Sequence, residues 1–452
     1  MSLLLPPAEM SAQETTPTAE TAPQQTTNRK WTLDDCIRHA LANNITLEKN
    51  QVSILSSKED VEQAKAALLP SLSASTNQSF GWRPWNESGI STVANGTVAN
   101  RVSKTYYNGS YSVNAQWTVW NGNKNRNTLK QNKMTAEKAE LDSATNANQL
   151  KEQIANLYVQ ILYLNEAINV NRQSHKTSQK NEERGREMVE VGKMSKADLA
   201  QLTAQTKQDE YNIVNAQAEV AKAKLQLKQI LELQNTDEFD IYIPEESNEK
   251  ALEDIPSLQG VYENALLQRP EIASGLLAIE SQKIGVKIAK AGKMPQLSMN
   301  AGMGTSTTSM NSNNWDYQLK TNFDVTAGLS LSVPIFDNRA TKTSVNKAKL
   351  AVIDADLDLQ DKRKTLWSTI EGYWLDANTN QQKFKAAEAS VESMQASYDL
   401  LSEQFRLGLK NIVELMTGKN NLVTAQQNML QSKYMTILDI QLLKFYNGGE
   451  LN

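Results

Sequence analysis

The sequence predicts a mainly α-helical protein that also carries four membrane-type β-strands, arranged as two copies of one helix–strand–strand–helix unit. Three observations lead there: an internal repeat, paired segments of strict alternation, and proline-free heptad stretches too long for a compact domain.

The repeat comes first because it sets the boundaries. Leu33 matches Leu258, Ala40-Leu41 match Ala265-Leu266, and Pro70 matches Pro295 at one offset (258 − 33 = 225; 295 − 70 = 225). The first unit is expected over 31–232 and the second over 257–452, with a connecting segment at 233–256. Each unit opens with a helix that runs into its proline through Ala-Lys-Ala-Ala-Leu-Leu-Pro70 or Ala-Lys-Ala-Gly-Lys-Met-Pro295. Proline stops the helix and biases the chain after it toward extension.

Strands follow each proline. Phe323, Val325, Ala327, Leu329, Leu331, Val333 and Ile335 take alternate positions between polar or small residues. Tyr107, Gly109, Tyr111, Val113, Ala115, Trp117 and Val119 do the same in the first unit. Weaker alternation at Leu72, Ala74, Thr76 and at Leu297, Met299, Ala301, Met303 supplies the partners. Strands are thus expected at about 70–85, 105–120, 295–306 and 321–336. The later landmarks share a smaller offset (336 − 120 = 216), so the first hairpin's loop should be about nine residues longer, in the place where length varies most freely.

A run of about 13 alternating residues exceeds the usual soluble strand and matches the roughly 9–11 needed to cross a bilayer at a tilt. Four strands are too few to close a spanning barrel, and an open edge in lipid leaves backbone groups unsatisfied. Closure therefore requires several chains. Aromatics gather at these segments: Trp82, Trp85, Tyr107, Trp117, Trp120, Trp315, Phe323 and Phe336 read as interfacial girdles. Met294, Met299, Met303 and Met310 fit packing or lipid contact better than a copper route.

Helical spacing takes over after Asn121-Gly122-Asn123 and Asp337-Asn338-Arg339. Leu150, Ile154, Leu157, Ile161, Leu164 and Ile168 form one heptad seam, and Val391, Met394, Tyr398, Leu401 and Phe405 another. Long helices are expected at about 122–190 and 338–405, each on the order of 100 Å long at 1.5 Å per residue. Gly192 and Gly408 end them at the common offset (408 − 192 = 216), and helices return over about 195–232 and 411–445. Glu182-Glu183-Arg184-Gly185-Arg186-Glu187 reads as a solvated helix face.

Composition excludes other classes. A net charge of −4 without a basic stripe argues against nucleic acid as a partner. Cys36 is the only cysteine, and His39 and His175, the only histidines, lack metal-ligand spacing, so no metal or cofactor is expected. Nucleophile elbows and phosphate loops are missing, which argues against an enzyme. Residues 1–30 read as a disordered leader. Leu3-Leu4-Leu5, then Pro6-Pro7 and Met10-Ser11-Ala12-Gln13, suit the tail of a secretory signal incompletely visible here.

The ordered pair of halves, each with a proline before its first strand and a Gly turn followed by Asp198-Leu199 or Glu414-Leu415, resembles the TolC family from about Trp31 to Leu443. The resemblance implies a homotrimer whose twelve-stranded outer-membrane barrel, embedded in lipid, continues as a long antiparallel α-helical barrel in the periplasm. It further implies a periplasmic adaptor and an inner-membrane transporter as partners, and a passive exit channel for small toxic compounds. Protein secretion through the same fold is the alternative, and a soluble periplasmic coiled-coil adaptor the reading from another class.

Carried over by position, Asp198, Lys410 and Phe405 become gate residues at the helical tips, although Phe405 lacks the family's tyrosine hydroxyl and Lys410 the bidentate geometry of arginine. Glu414 aligns with a position where a carboxylate ring selects cations. Val191, Gly192, Lys193, Leu407, Gly408 and Leu409 form the two turns, the expected site of adaptor docking.

Overall fold

The computed structural model describes residues 30–85, 89–93, 96–100, 104–234, 239–244 and 248–451; the leader expected before Lys30 lies outside the described residues. Four strands form one antiparallel sheet in the order β1 (Ser71–Trp82), β4 (Thr105–Trp120), β5 (Gln296–Thr308), β6 (Asp324–Ser332). The two halves therefore meet in the sheet, where β4 pairs with β5, and among the described residues the outer edges of β1 and β6 have no strand beside them.

Register keeps one chemistry on each face. The row Ala74–Val113–Met303–Val325 is apolar, and the next row, Ser75–Ser112–Gly304–Asp324, is polar. By simple alternation Trp120 belongs to the polar face. A bulge between Thr118 and Trp120 pairs it with Leu297 instead, which returns the indole to the apolar side with Trp117.

The longer loop holds a second hairpin, β2 (Gly89–Val93) with β3 (Gly96–Asn100). In the second half, the short helix α7 (Trp315–Thr321) precedes the last strand, which starts at Asp324 rather than at about 321, and Trp315 sits on that helix. Seven residues are too few to show a helical period in the sequence. Thr305 Oγ1 donates to the Leu319 carbonyl (2.7 Å), and Gln318 Oε1 accepts from the Thr308 amide (2.8 Å), holding α7 on the end of β5. At its other end β6 stops at Ser332, before Pro334, which cannot donate to a ladder, and Phe336 lies past the strand.

The opening helix of each half is two helices. Asn44 closes α1 (Leu33–Asn43) and caps α2 (Ile45–Ala66), its side chain accepting from the Thr46 amide. Arg269-Pro270 makes the same break between α5 (Leu258–Gln268) and α6 (Pro270–Ala291), where proline suits the first helical turn. Strands pass into the long helices through two consecutive left-handed residues, Gly122-Asn123 and Asn338-Arg339. The helices α3 (Lys124–Glu190) and α8 (Ala340–Arg406) have 67 residues each, and the returning helices α4 (Lys196–Ile230) and α9 (Ile412–Tyr446) have 35.

Two apolar cores hold the helices. The larger belts the middle, where Ile154, Ile161, Leu227, Ile370 and Leu443 are fully buried. There Arg269 stacks on Tyr446 (3.6 Å) and bonds Glu152 (3.4 Å), tying α3, α6 and α9. The inter-repeat segment joins this belt through Tyr158, whose hydroxyl donates to the Tyr242 carbonyl (2.6 Å), and a parallel bridge from Trp31 to Ile241. The smaller core, Leu202, Tyr398, Phe405, Ile412, Leu415 and Leu422, lies at the far ends of the hairpins.

Candidate functional site: the helical tips

The tips are two turns built alike. Val191 ends α3, and Gly192 takes a φ of 73°, which an L side chain rarely adopts. The Lys193 amide then bonds back to the Met188 carbonyl (2.7 Å). In the second half Leu407 ends α8, Gly408 has a φ of 75°, and the Leu409 amide bonds the Gln404 carbonyl (2.9 Å). Val191, Leu407 and Leu409 are exposed, leaving an apolar rim on an otherwise polar end.

Two of the residues expected to gate, Asp198 and Glu414, take part in local caps within the protomer. Asp198 is the third residue of α4: its amide donates to Ser195 Oγ (3.1 Å), and Ser195 Oγ donates to its carboxylate (2.8 Å). Glu414 completes a capping box with Asn411 and pairs with Lys410 at 2.5 Å. Lys410 and the cap hold the Glu414 carboxyl below its ordinary range. Among the described residues no ion pair joins Asp198 to Lys410. Phe405 is buried in the tip core, so apolar packing takes the place of the hydroxyl contact that it cannot make.

Above this core lies a buried polar layer that the sequence reading overlooked. On α3 the heptad seam changes from Ile168 to Asn171, Ser174, Ser178 and Asn181, all buried. Lys419 of α9 reaches across to Asp209 of α4, both at most 5% exposed, and its ammonium also donates to Ser178 Oγ (2.6 Å). Ser178 (2.6 Å) and Gln205 (2.9 Å) donate to the Asp209 carboxylate, whose charge is thereby satisfied from three helices. Burial pushes the Lys419 pKa down, and Asp209 opposes that shift. A signal was present: Ile412, Leu415, Lys419 and Leu422 follow 3-4-3 spacing, so a lysine occupies a core heptad position. The acidic–basic run on α3 is likewise only partly solvated. Gly185 is buried against Leu202, and Glu182 turns to accept from Thr203 (3.1 Å).

The aromatics form two groups. Trp82, Trp85, Tyr107, Trp315 and Phe323 lie where the strands meet the loops, and Trp117, Trp120 and Phe336 lie where they meet the helices. From Tyr107 to Trp117 is about 34 Å of strand at 3.4 Å per residue, or roughly 25 Å of height at a 45° tilt, the height of an apolar barrel band.

A family model described as outer membrane efflux protein matches residues 36–232 and 261–448, both halves of the duplication. The chain belongs to the outer membrane efflux protein family. Toxin and drug export protein A of Aggregatibacter actinomycetemcomitans is 22% identical over 90% of this chain and 83% of that protein. Escherichia coli TolC is 22% identical over 39% of this chain, and the alkaline protease secretion protein AprF of Pseudomonas aeruginosa is 24% identical over 41%. Those two matches span 38% and 37% of the relatives' own lengths, well under half. The fold is that of solved channels: CusC superposes with a TM-score of 0.78 (15% identity, 95% of this chain, 97% of that one). VceC of Vibrio cholerae follows at 0.76 (16% identity, 93% and 97%). This efflux-family chain thus has the family and fold of outer-membrane channels, not those of an enzyme.

Proposed function

We propose that this outer membrane efflux protein is one of three identical protomers of a passive exit duct for small toxic compounds. The single observation behind the reading is a sheet with two free edges, β1 and β6, whose strands lead directly into 67-residue helices. Joining β6 of one copy to β1 of the next satisfies both edges, and three copies give twelve strands with the apolar face toward lipid. An exposed apolar stripe on α8 (Leu350, Ile353, Leu357) supports the same assembly, since a neighbouring helix would cover it.

The barrel sits in the outer membrane with its aromatic groups at the two interfaces, and the helices project as a tunnel into the periplasm. The exposed turns around Gly192 and Gly408 receive a periplasmic adaptor, which couples the duct to an inner-membrane transporter. Asp198, Lys410 and Glu414 line the tip and act on passage there, with Lys410 exchanging Glu414 for Asp198 when the hairpins shift.

Deletion followed by a broad toxic-compound screen, with membrane fractionation of the tagged protein, tests this. The expected result is hypersensitivity and recovery as a detergent-extracted trimer from the outer membrane. Recovery in the soluble fraction without detergent overturns the duct. Unchanged tolerance with a protein missing from the medium replaces small-molecule efflux with secretion, the activity that the name of AprF describes.

A further inference from the structure

The polar face of the sheet is almost free of charge. Its residues on β1 are Ser71, Ser73, Ser75, Asn77, Ser79 and Gly81, and β4 and β5 continue the pattern with Ser, Thr, Asn, Gln and Gly and the single Tyr106. Among all residues of β1, β4, β5 and β6, Asp324 is the only charged one. It opens β6 at the end beside α7 and is exposed. Its cross-strand partner is Gly304, so no neighbouring side chain on β5 screens the carboxylate. Beyond Gly304 the row continues through Ser112 and Ser75, whose hydroxyls bond each other (2.9 Å). Among the described residues Asp324 has no ion pair. The described cations at that end, Arg83, Lys104 and Lys320, lie outside these four strands, and Arg83 is held over the Tyr106 ring (4.5 Å).

The structure assigns Asp324 as the residue that sets charge selectivity within the strand-lined part of the duct. The assignment rests on the trimeric reading above, in which three copies place a ring of carboxylates on a wall whose four strands carry no other charge. Rings of carboxylate enrich cations and deplete anions in a pore. With three charges about 10 Å from the axis in aqueous dielectric, screened by 0.1 M salt, the expected enrichment of monovalent cations is about twofold, with similar depletion of anions. The permeability ratio of K⁺ over Cl⁻ should therefore carry a factor of about four from this ring. Hydroxyls and amides elsewhere on the face offer cations and anions equal hydrogen-bonding and add no preference of their own.

The test is the reversal potential of the full-length trimer in planar bilayers under a KCl gradient, for wild type, Asp324→Asn and Asp324→Lys. At about 0.1 M salt, Asp324→Asn should lower the K⁺ over Cl⁻ ratio about fourfold, and Asp324→Lys should lower it further. At 1 M salt, where screening acts within about 3 Å, the three should converge at equal conductance, showing that the variants assemble. Wild-type selectivity in Asp324→Asn pores at low salt overturns the assignment and leaves the duct standing. If the wild type forms no pores at all, the duct reading fails and the assignment with it.

Discussion

Replacing Lys419 with alanine tests whether the buried polar layer holds the two helical hairpins together. Lys419 is the only cation in contact with the Asp209 carboxylate among the described residues, and it belongs to the other repeat. Removing it leaves a carboxylate at most 5% exposed with only Ser178, Ser174 and Gln205 to satisfy it. Breaking a buried pair from one side costs about 3–5 kcal/mol. Those remaining donors soften the loss, so about 3 kcal/mol is expected, or roughly a 100-fold rise in the open population of the tips. Limited trypsin digestion of the assembled protein reads that population, since Lys193, Arg406 and Lys410 lie at the turns. Cleavage there should accelerate about 100-fold in Lys419→Ala. The double variant Lys419→Met with Asp209→Leu should recover most of the protection, because a packed apolar pair replaces a buried ion pair at little or no cost. Wild-type cleavage in Lys419→Ala would refute the reasoning. So would a double variant no better protected than its singles, because the coupling between the two charges would then be nil.

Other consequences can be measured alongside. Burial and the nearby Asp376 raise the Asp439 pKa from its ordinary 3.8 to about 7, against the hydrogen bond from Asn380. The native state thus holds this proton more tightly than the unfolded chain, and the stability it contributes is full below pH 3.8 and lost as pH rises to about 7, at most about 4 kcal/mol. In thermal unfolding at pH 8, Asp439→Asn should exceed wild type, and the two should converge near pH 4. Gly192→Ala and Gly408→Ala should each cost about 1–2 kcal/mol at the tips from backbone strain alone, because a Cβ meets nothing within 4 Å at either turn. Gly372→Ala, equally unobstructed but mid-helix, should stabilise α8 by about 0.5–1 kcal/mol in the same digestion series. Changing Leu350, Ile353 and Leu357 together to serine should lower the trimer fraction in detergent while leaving the helical circular dichroism intact, and an unchanged trimer fraction would move the subunit contact elsewhere.

Periodicity carried most of the fold, because each face of each strand and helix has one chemistry over many residues. The offsets 225 and 216 in the sequence alone mark both turns and a longer loop in the first half. What escaped was set by interactions across the chain. The bulge at Trp120 exists only against Leu297, about 180 residues away. The break at Asn44 depends on a side chain that caps a new helix and bonds the Ile230 carbonyl (3.1 Å), not on a proline or glycine. The resemblance carries the gate over by position to the two turns, and within the protomer Asp198 and Glu414 there each satisfy a helix N-terminus, a local role that position alone does not reveal.

The duplication also shows where the halves are forced to differ. Equal helix lengths bring both hairpins to the same height, so their turns end at one level. The polar layer breaks that symmetry. At the repeat offset, Asp209 corresponds to Ala425 (209 + 216 = 425), Lys419 to Thr203 (419 − 216 = 203) and Ser178 to Met394 (178 + 216 = 394). The charged junction joins α9 to the α3–α4 hairpin of the same protomer, while the three corresponding positions, Ala425, Thr203 and Met394, carry no charge. In the proposed trimer that second junction lies between α4 and α9 of different protomers. A contact without an ion pair tolerates sliding where a buried ion pair fixes register. Motion at the tips should consequently separate protomers before it separates the hairpins within one, and the position of Lys419 in its seam decides which.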